Sequence, residues 1–192
     1  MLKGPLKYEL LVSELDAKKL EYFNAQIRNA ESELACIIPY FQPLIKNLIQ
    51  FYVPIENASN DHVHDYGMSL LWFKGAVFFE KGQSFAIERR VENLAHELAH
   101  QVIINYQLND YIIDGDLNEE VYSGIRERLR PAIMSFHGAA ALSYMLQVAS
   151  LYQNKKRTSE LKNSLEKTLQ SLSEIKFTPV GKVIFEEMHE FL

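Results

Sequence analysis

The run His96-Glu97-Leu98-Ala99-His100 holds the residue types with the clearest chemistry in the chain. Histidines four positions apart lie on one face of an α-helix about one turn apart, so both imidazoles are able to reach a single cation. Imidazole suits zinc, iron, copper and nickel, so the pair points to a metal centre and leaves the metal open. Glu97 directly follows the first histidine, where metallopeptidases place the base that deprotonates a metal-bound water. The competing reading is an ordinary helix with two surface histidines and an accidental glutamate between them.

Catalytic metal sites usually have three protein ligands and keep positions open for water or substrate. Glu119 and Glu120 stand about where zinc peptidases of the thermolysin type place a glutamate ligand on the next helix, although paired acids in a first helical turn also serve the helix dipole. His137 follows in Phe136-His137-Gly138-Ala139-Ala140-Ala141, where small residues would let its helix approach the metal helix closely. A lone histidine in an apolar helix is also a common hydrogen-bonded core residue. Spacing alone leaves the third ligand open between His137 and the two glutamates.

The elements that must position these residues are read from apolar spacing. Ile87, Val91, Leu94, Ala95, Leu98, Val102 and Ile103 form a stripe of helical period, which places the motif inside a helix from Ser84 to about Leu108 with both histidines off the stripe. Before it, residues from Ser13 to about Tyr52 read as two helices broken near Pro39 and Pro43, with Ser13 and Asp16 as a capping pair. Tyr52 to Ile55, Met68 to Phe73 and Gly75 to Phe79 read as two or three strands of a small sheet. After the motif, Asp110 to Asp116 reads as a loop and Asn118 caps a helix to about Arg130. Pro131 opens another to about Gln153, and two more run from Ser159 to about Ile175 and from Pro179 to Leu192. Asn154 to Arg157 reads as an exposed turn. The expectation is a mainly α chain with a small β-sheet, α+β and zincin-like, forming one metal-binding domain over 1–192 with its motif core at about 86–151.

At 192 residues and 47% hydrophobic content the chain has enough apolar side chains for one packed core. A formal net charge of -5 argues against nucleic acid as a partner, and no uncharged apolar run reaches the 18 to 20 residues or so of a membrane span. The single Cys36 has no internal disulfide partner, and the first residues lack the apolar stretch of a secretion signal, so the expected location is the cytoplasm. Oligomeric state is not legible.

The second half of the motif region resembles a known family. Arg126-Glu127-Arg128-Leu129-Arg130-Pro131 is followed, six residues after the proline, by His137-Gly138. This is similar to the pattern of the bacterial iron and 2-oxoglutarate-dependent peptide beta-hydroxylases of the H-E-x-x-H type, in which a run close to R-x-D-P-R-P precedes His-Gly or Gln-Gly. The likeness covers about Ala86 to Leu151. Arg128 and Leu129 stand where the family tends to have Asp-Pro, and Ile125 where it often has Trp. The resemblance implies Fe(II) held by His96, His100 and His137, with 2-oxoglutarate and oxygen in the remaining positions. It also implies an arginine for the distal carboxylate of 2-oxoglutarate: Arg130, or Arg126 one turn earlier. Glu97 would then fix a ligand from outside the metal shell.

Three functions follow: an Fe(II)/2-oxoglutarate oxygenase acting on a peptide or protein side chain, a zinc metallopeptidase with Glu97 as base, and a non-catalytic partner-binding domain. Outside the motif, His62 and His64 fall in a polar loop from Asn57 to Asp65, and His189 reads as a solvated helix residue. Cys36 is expected to be buried, and Trp72 to belong to the core and sheet packing.

Overall fold

The computed structural model describes residues 11–12, 16–56, 67–80 and 86–192. Ser13, His62, His64, Ser84 and the loop from Asn57 to Asp65 lie outside the described residues. Helix α1 (Ala17–Ile37) begins where the Asp16 side chain accepts the backbone N–H of Lys19 at 2.9 Å. Pro39 follows its end, and α2 (Phe41–Leu48) carries Pro43 in its first turn, where a missing N–H removes no intrahelical bond. Phe23, Ala30 and Leu34 are the buried residues of α1. Cys36, two residues past Leu34 and so on the far side of the helix, is exposed, which corrects its expected burial.

Among the described residues the sheet has four strands in the order β1 (Leu11–Val12), β2 (Phe51–Glu56), β4 (Ala76–Glu80), β3 (Gly67–Ser69), with β2 and β4 parallel and the other pairs antiparallel. Strand β4 reads Ala-Val-Phe-Phe because both its faces are covered. Val77 and Phe79 join the cluster formed with α1 and α2, while Ala76 and Phe78 pack with Ile55 and Met68 on the other face. The strand expected from Met68 to Phe73 ends at Ser69. Leu71–Phe73 forms one turn of 3-10 helix that leads the chain from β3 back into β4, and Gly75 completes the reversal at φ 82°. That turn leaves Trp72 74% exposed, so it is not part of the core as expected.

Helix α3 (Ile87–Gln107) carries the motif. It is fastened to the sheet by Gln101, only 1% exposed, which accepts the Gly75 N–H at 2.9 Å and donates to the Ala76 carbonyl at 3.0 Å. Beyond it, the helix expected from Asn118 to Arg130 is instead a hairpin of β5 (Glu120–Ser123) and β6 (Arg128–Pro131). Val121, Ile125 and Leu129 mimic a helical stripe, yet Val121 is buried and Leu129 is exposed, so they share no face. The hairpin is held by α5 (Lys155–Leu172), whose Ser171 and Thr168 hydroxyls accept the N–H groups of Tyr122 and Gly124, both at 2.7 Å. Gly124 is required there: a Cβ would sit 2.1 Å from the Ser164 carbonyl oxygen.

Pro131 ends β6 and caps α4 (Ala132–Leu151), and α6 (Pro179–His189) closes the described fold behind a Thr178 cap. Helix α5 starts four residues earlier than expected, because Asn154 caps it by accepting the Arg157 N–H; the supposed turn is its first turn. His189 is exposed, its ring nitrogen Nδ1 3.0 Å from the Phe185 carbonyl oxygen. Among the described residues α4 alone is long and apolar enough to cross a membrane, which corrects the expectation that no run reaches that length, and 72% of that stretch is buried inside the protein. Its cover comes mainly from α3 and α5.

Candidate metal centre

Helix α3 places His96 and His100 on one face, with ring centroids 4.7 Å apart and planes at 76°. Their Nε2 atoms face each other at 3.0 Å. Cis ligands about 2.1 Å from a six-coordinate ion lie about 3.0 Å apart, so this pair has the spacing of two nitrogens sharing one cation. His137, in the first turns of α4, stands against the other edge of His100, with Nδ1 to Nδ1 3.3 Å and ring centroids 5.4 Å apart.

The structure therefore brings all three predicted histidines together, but as a row rather than around one point. Among the described residues no three His, Cys, Asp or Glu side chains form a ready cage for an ion. His96 and His100 have the spacing of two ligands to one ion, and His137 would have to exchange its contact with His100 to complete the set. Glu119 and Glu120 are exposed at the start of the hairpin, away from this row.

Each end of the row is closed by a neutral side chain that spacing did not single out. The Oε1 of Gln107, the last residue of α3, is 2.7 Å from His137 Nε2, and Met145 Sδ is 3.1 Å from His96 Nδ1. Both were legible in principle, since Gln107 lies seven residues after His100 and Met145 eight after His137, each about two helical turns along the same face. Gly138 serves another purpose than expected. A Cβ there would meet Ile125 Cγ2 at 3.2 Å, so the missing side chain admits the hairpin turn, not the metal helix.

Glu97 is 2% exposed and sits beneath β3. Its Oε2 accepts the Ser69 hydroxyl at 2.8 Å, and its Oε1 lies so close to Gly67 that a Cβ at that residue would approach it to 2.8 Å. The same Oε1 is 3.9 Å from His96 Nε2. One turn before His96, Glu92 is buried between Arg89 of α3 and Arg157 of α5, whose Nη2 is 2.6 Å from Glu92 Oε1. A cavity of about 230 Å³ opens beside this ion pair, lined also by Glu88, Val148 and Tyr152.

The electrostatics keep the three imidazoles neutral. Burial pushes the His96 pKa down to about 4, helped by the charges of Arg126, Arg89 and Arg157. His137 falls to about 3 through burial, with His100 and Arg130 contributing, and His100 is driven well below its usual range by burial, His96, Arg126 and Arg130. Arg126 lies in the hairpin turn and Arg130 on β6, both half-buried, so the hairpin brings two guanidinium charges to a cluster of neutral imidazoles. At neutral pH every ring keeps a nitrogen lone pair able to bind a cation.

No protein-family model matches the chain, and no curated protein matches it either.

Proposed function

We propose that the chain is an Fe(II)/2-oxoglutarate-dependent oxygenase that hydroxylates a peptide or protein side chain, with His96, His100 and His137 holding the iron on a zincin-like fold. One observation carries the reading: the hairpin directs the positive charges of Arg126 and Arg130 onto a cluster of uncharged histidines. Cations fixed beside a metal-binding pair suit an anionic co-substrate, and a guanidinium grips a carboxylate through two parallel hydrogen bonds. Arg130, whose charge reaches both His100 and His137, is the residue assigned to the distal carboxylate of 2-oxoglutarate, with Arg126 on the His96 side. Iron with this co-substrate supplies the oxidising power that hydroxylation of an unactivated carbon needs. Glu97, held by Ser69, steadies α3 against the sheet beside His96.

The test is direct. Protein loaded with Fe(II) without oxygen, then given 2-oxoglutarate and air, is expected to release succinate, and Arg130→Met to raise the 2-oxoglutarate requirement at least tenfold. Absence of succinate from fully iron-loaded protein, with and without peptide mixtures, would rule the oxygenase out.

A second reading is supported by the Glu97 carboxylate, whose Oε1 stands 3.9 Å from His96 Nε2. In a zinc peptidase that oxygen would take the proton of the attacking water. Glu97→Gln separates the two, since it abolishes peptide cleavage and leaves succinate formation in place.

A further inference from the structure

We infer that Gln107 is a positioning residue: from the end of α3 it fixes which nitrogen of His137, and through His137 which nitrogen of His100, carries the proton. The contacts within the row fix the proton positions. Gln107 presents its carbonyl oxygen to His137 Nε2 at 2.7 Å, and an oxygen of that kind accepts only, so Nε2 carries the hydrogen. A neutral imidazole has one N–H and one lone pair, which leaves the His137 lone pair on Nδ1. That atom faces His100 Nδ1 at 3.3 Å, so His100 donates from Nδ1. The lone pair of His100 is thereby placed on Nε2, the atom that faces His96 Nε2 at 3.0 Å.

One acceptor on α3 thus sets two rings, across α3 and α4, so that Nε2 of His100 and Nδ1 of His137 are both unprotonated. His96 is the ring with a choice. Its hydrogen serves His100 from Nε2, or turns to Met145 from Nδ1, where Sδ at 3.1 Å is a weak acceptor. A cation between the two Nε2 atoms would take the second arrangement for His96 and leave His100 as it is. The consequence for metal affinity rests on the metal centre proposed above; the proton positions do not.

Long-range proton–nitrogen spectra of the histidine rings test this on the metal-free protein at pH 7.5, with His100→Ala and His137→Ala as assignment controls. The expected result is His137 protonated at Nε2 and His100 at Nδ1, with the pattern kept in Gln107→Glu, whose carboxylate also only accepts, and lost in Gln107→Leu. A wild-type His100 protonated at Nε2, or tautomers unmoved by Gln107→Leu, overturns the assignment. Should Gln107→Leu not fold, the wild-type and Gln107→Glu spectra decide it. Titration with Zn(II) against a chelator is then expected to show affinity about 10 to 100 times weaker in Gln107→Leu and recovered in Gln107→Glu. Equal affinities would overturn the effect on the metal. A wild-type protein that takes up no Zn(II) or Fe(II) would refute the proposed function, while the metal-free spectra would still judge the role of Gln107.

Discussion

Ser69 donates its hydroxyl to Glu97 Oε2 at 2.8 Å, and the other carboxylate oxygen, Oε1, is left 3.9 Å from His96 Nε2. The edge strand β3 thus sets the aim of the carboxyl group in the H-E-x-x-H run. Replacing Ser69 by Ala removes one donor to a buried carboxyl oxygen, and losing a hydrogen bond to a buried acceptor costs about 1–3 kcal/mol. A fall in unfolding free energy of that order is expected from urea titration. An unmoved midpoint would mean that the carboxylate is held without Ser69.

His96→Ala and His100→Ala are each expected to weaken binding of Fe(II) or Zn(II) at least a hundredfold, because the 3.0 Å pair is the part of the cluster that already has the spacing of two ligands to one ion. His137→Ala is expected to weaken it as well, about tenfold or more. Calorimetric titration of the three variants checks the order. Undiminished affinity in His137→Ala would remove His137 from any part in holding the ion.

The pH dependence of the metal-free protein follows from the same rings. His96 and His137 titrate near 4 and 3 in the folded chain, against an ordinary value of 6.5, and His100 is shifted in the same direction. Below about pH 6.5 the unfolded chain therefore takes up protons that the folded one refuses. Stability is complete above that pH and falls as acid is added toward pH 4, by about 1.4 kcal/mol per pH unit for each histidine that stays neutral. Chemical denaturation between pH 7.5 and 5 measures it, with the His96→Ala, His137→Ala double variant expected to flatten the slope. A wild-type curve already flat across that range would contradict the depressed values.

Gly124→Ala tests the hairpin that brings the arginines to the cluster. The added methyl would lie 2.1 Å from the Ser164 carbonyl oxygen, too close for backbone to accommodate without movement. A loss of about 3 kcal/mol or more is expected, at the upper end for overpacking. Gly138→Ala meets the Ile125 methyl at 3.2 Å and the Ser123 hydroxyl at 3.5 Å, a crowding offset by the helix propensity that alanine gains inside α4, so a change of less than about 1 kcal/mol is expected. Thermal unfolding of the two variants side by side gives the comparison, and equal losses would show that the hairpin is free to shift.

Much of this molecule could be read from residue spacing. The motif helix and the two helices before it follow from periodicity, because their stripes are long enough to average out local accidents, and the helix after Pro131, apolar on nearly all sides, follows from its punctuation. The hairpin did not, since Val121, Ile125 and Leu129 are four apart by coincidence and the strands are stabilised by hydroxyls of α5, more than forty residues away. Trp72 misled for a related reason: an aromatic next to a strand looks like core until the turn direction is known. In the site, His96 and His100 follow from type and spacing, whereas spacing left the third ligand open between His137, Glu119 and Glu120, and the family resemblance favoured His137. Gln107, Met145 and Ser69 were not found, because a neutral side chain gains its meaning only from the ring or carboxylate it meets in space.

The two main apolar clusters meet along α3. Val91, Leu94, Ala95 and Leu98 belong to the cluster with α1, α2 and the sheet, whereas Ala99 and Ile103 belong to the one built by α4, α5 and α6. His96 and His100 straddle that seam. Unwinding the helix there would breach both interiors at once, so its amides are expected to be among the slowest to exchange, and entry to the histidine row is expected to come through side-chain rotation or the hairpin, not through unwinding of α3.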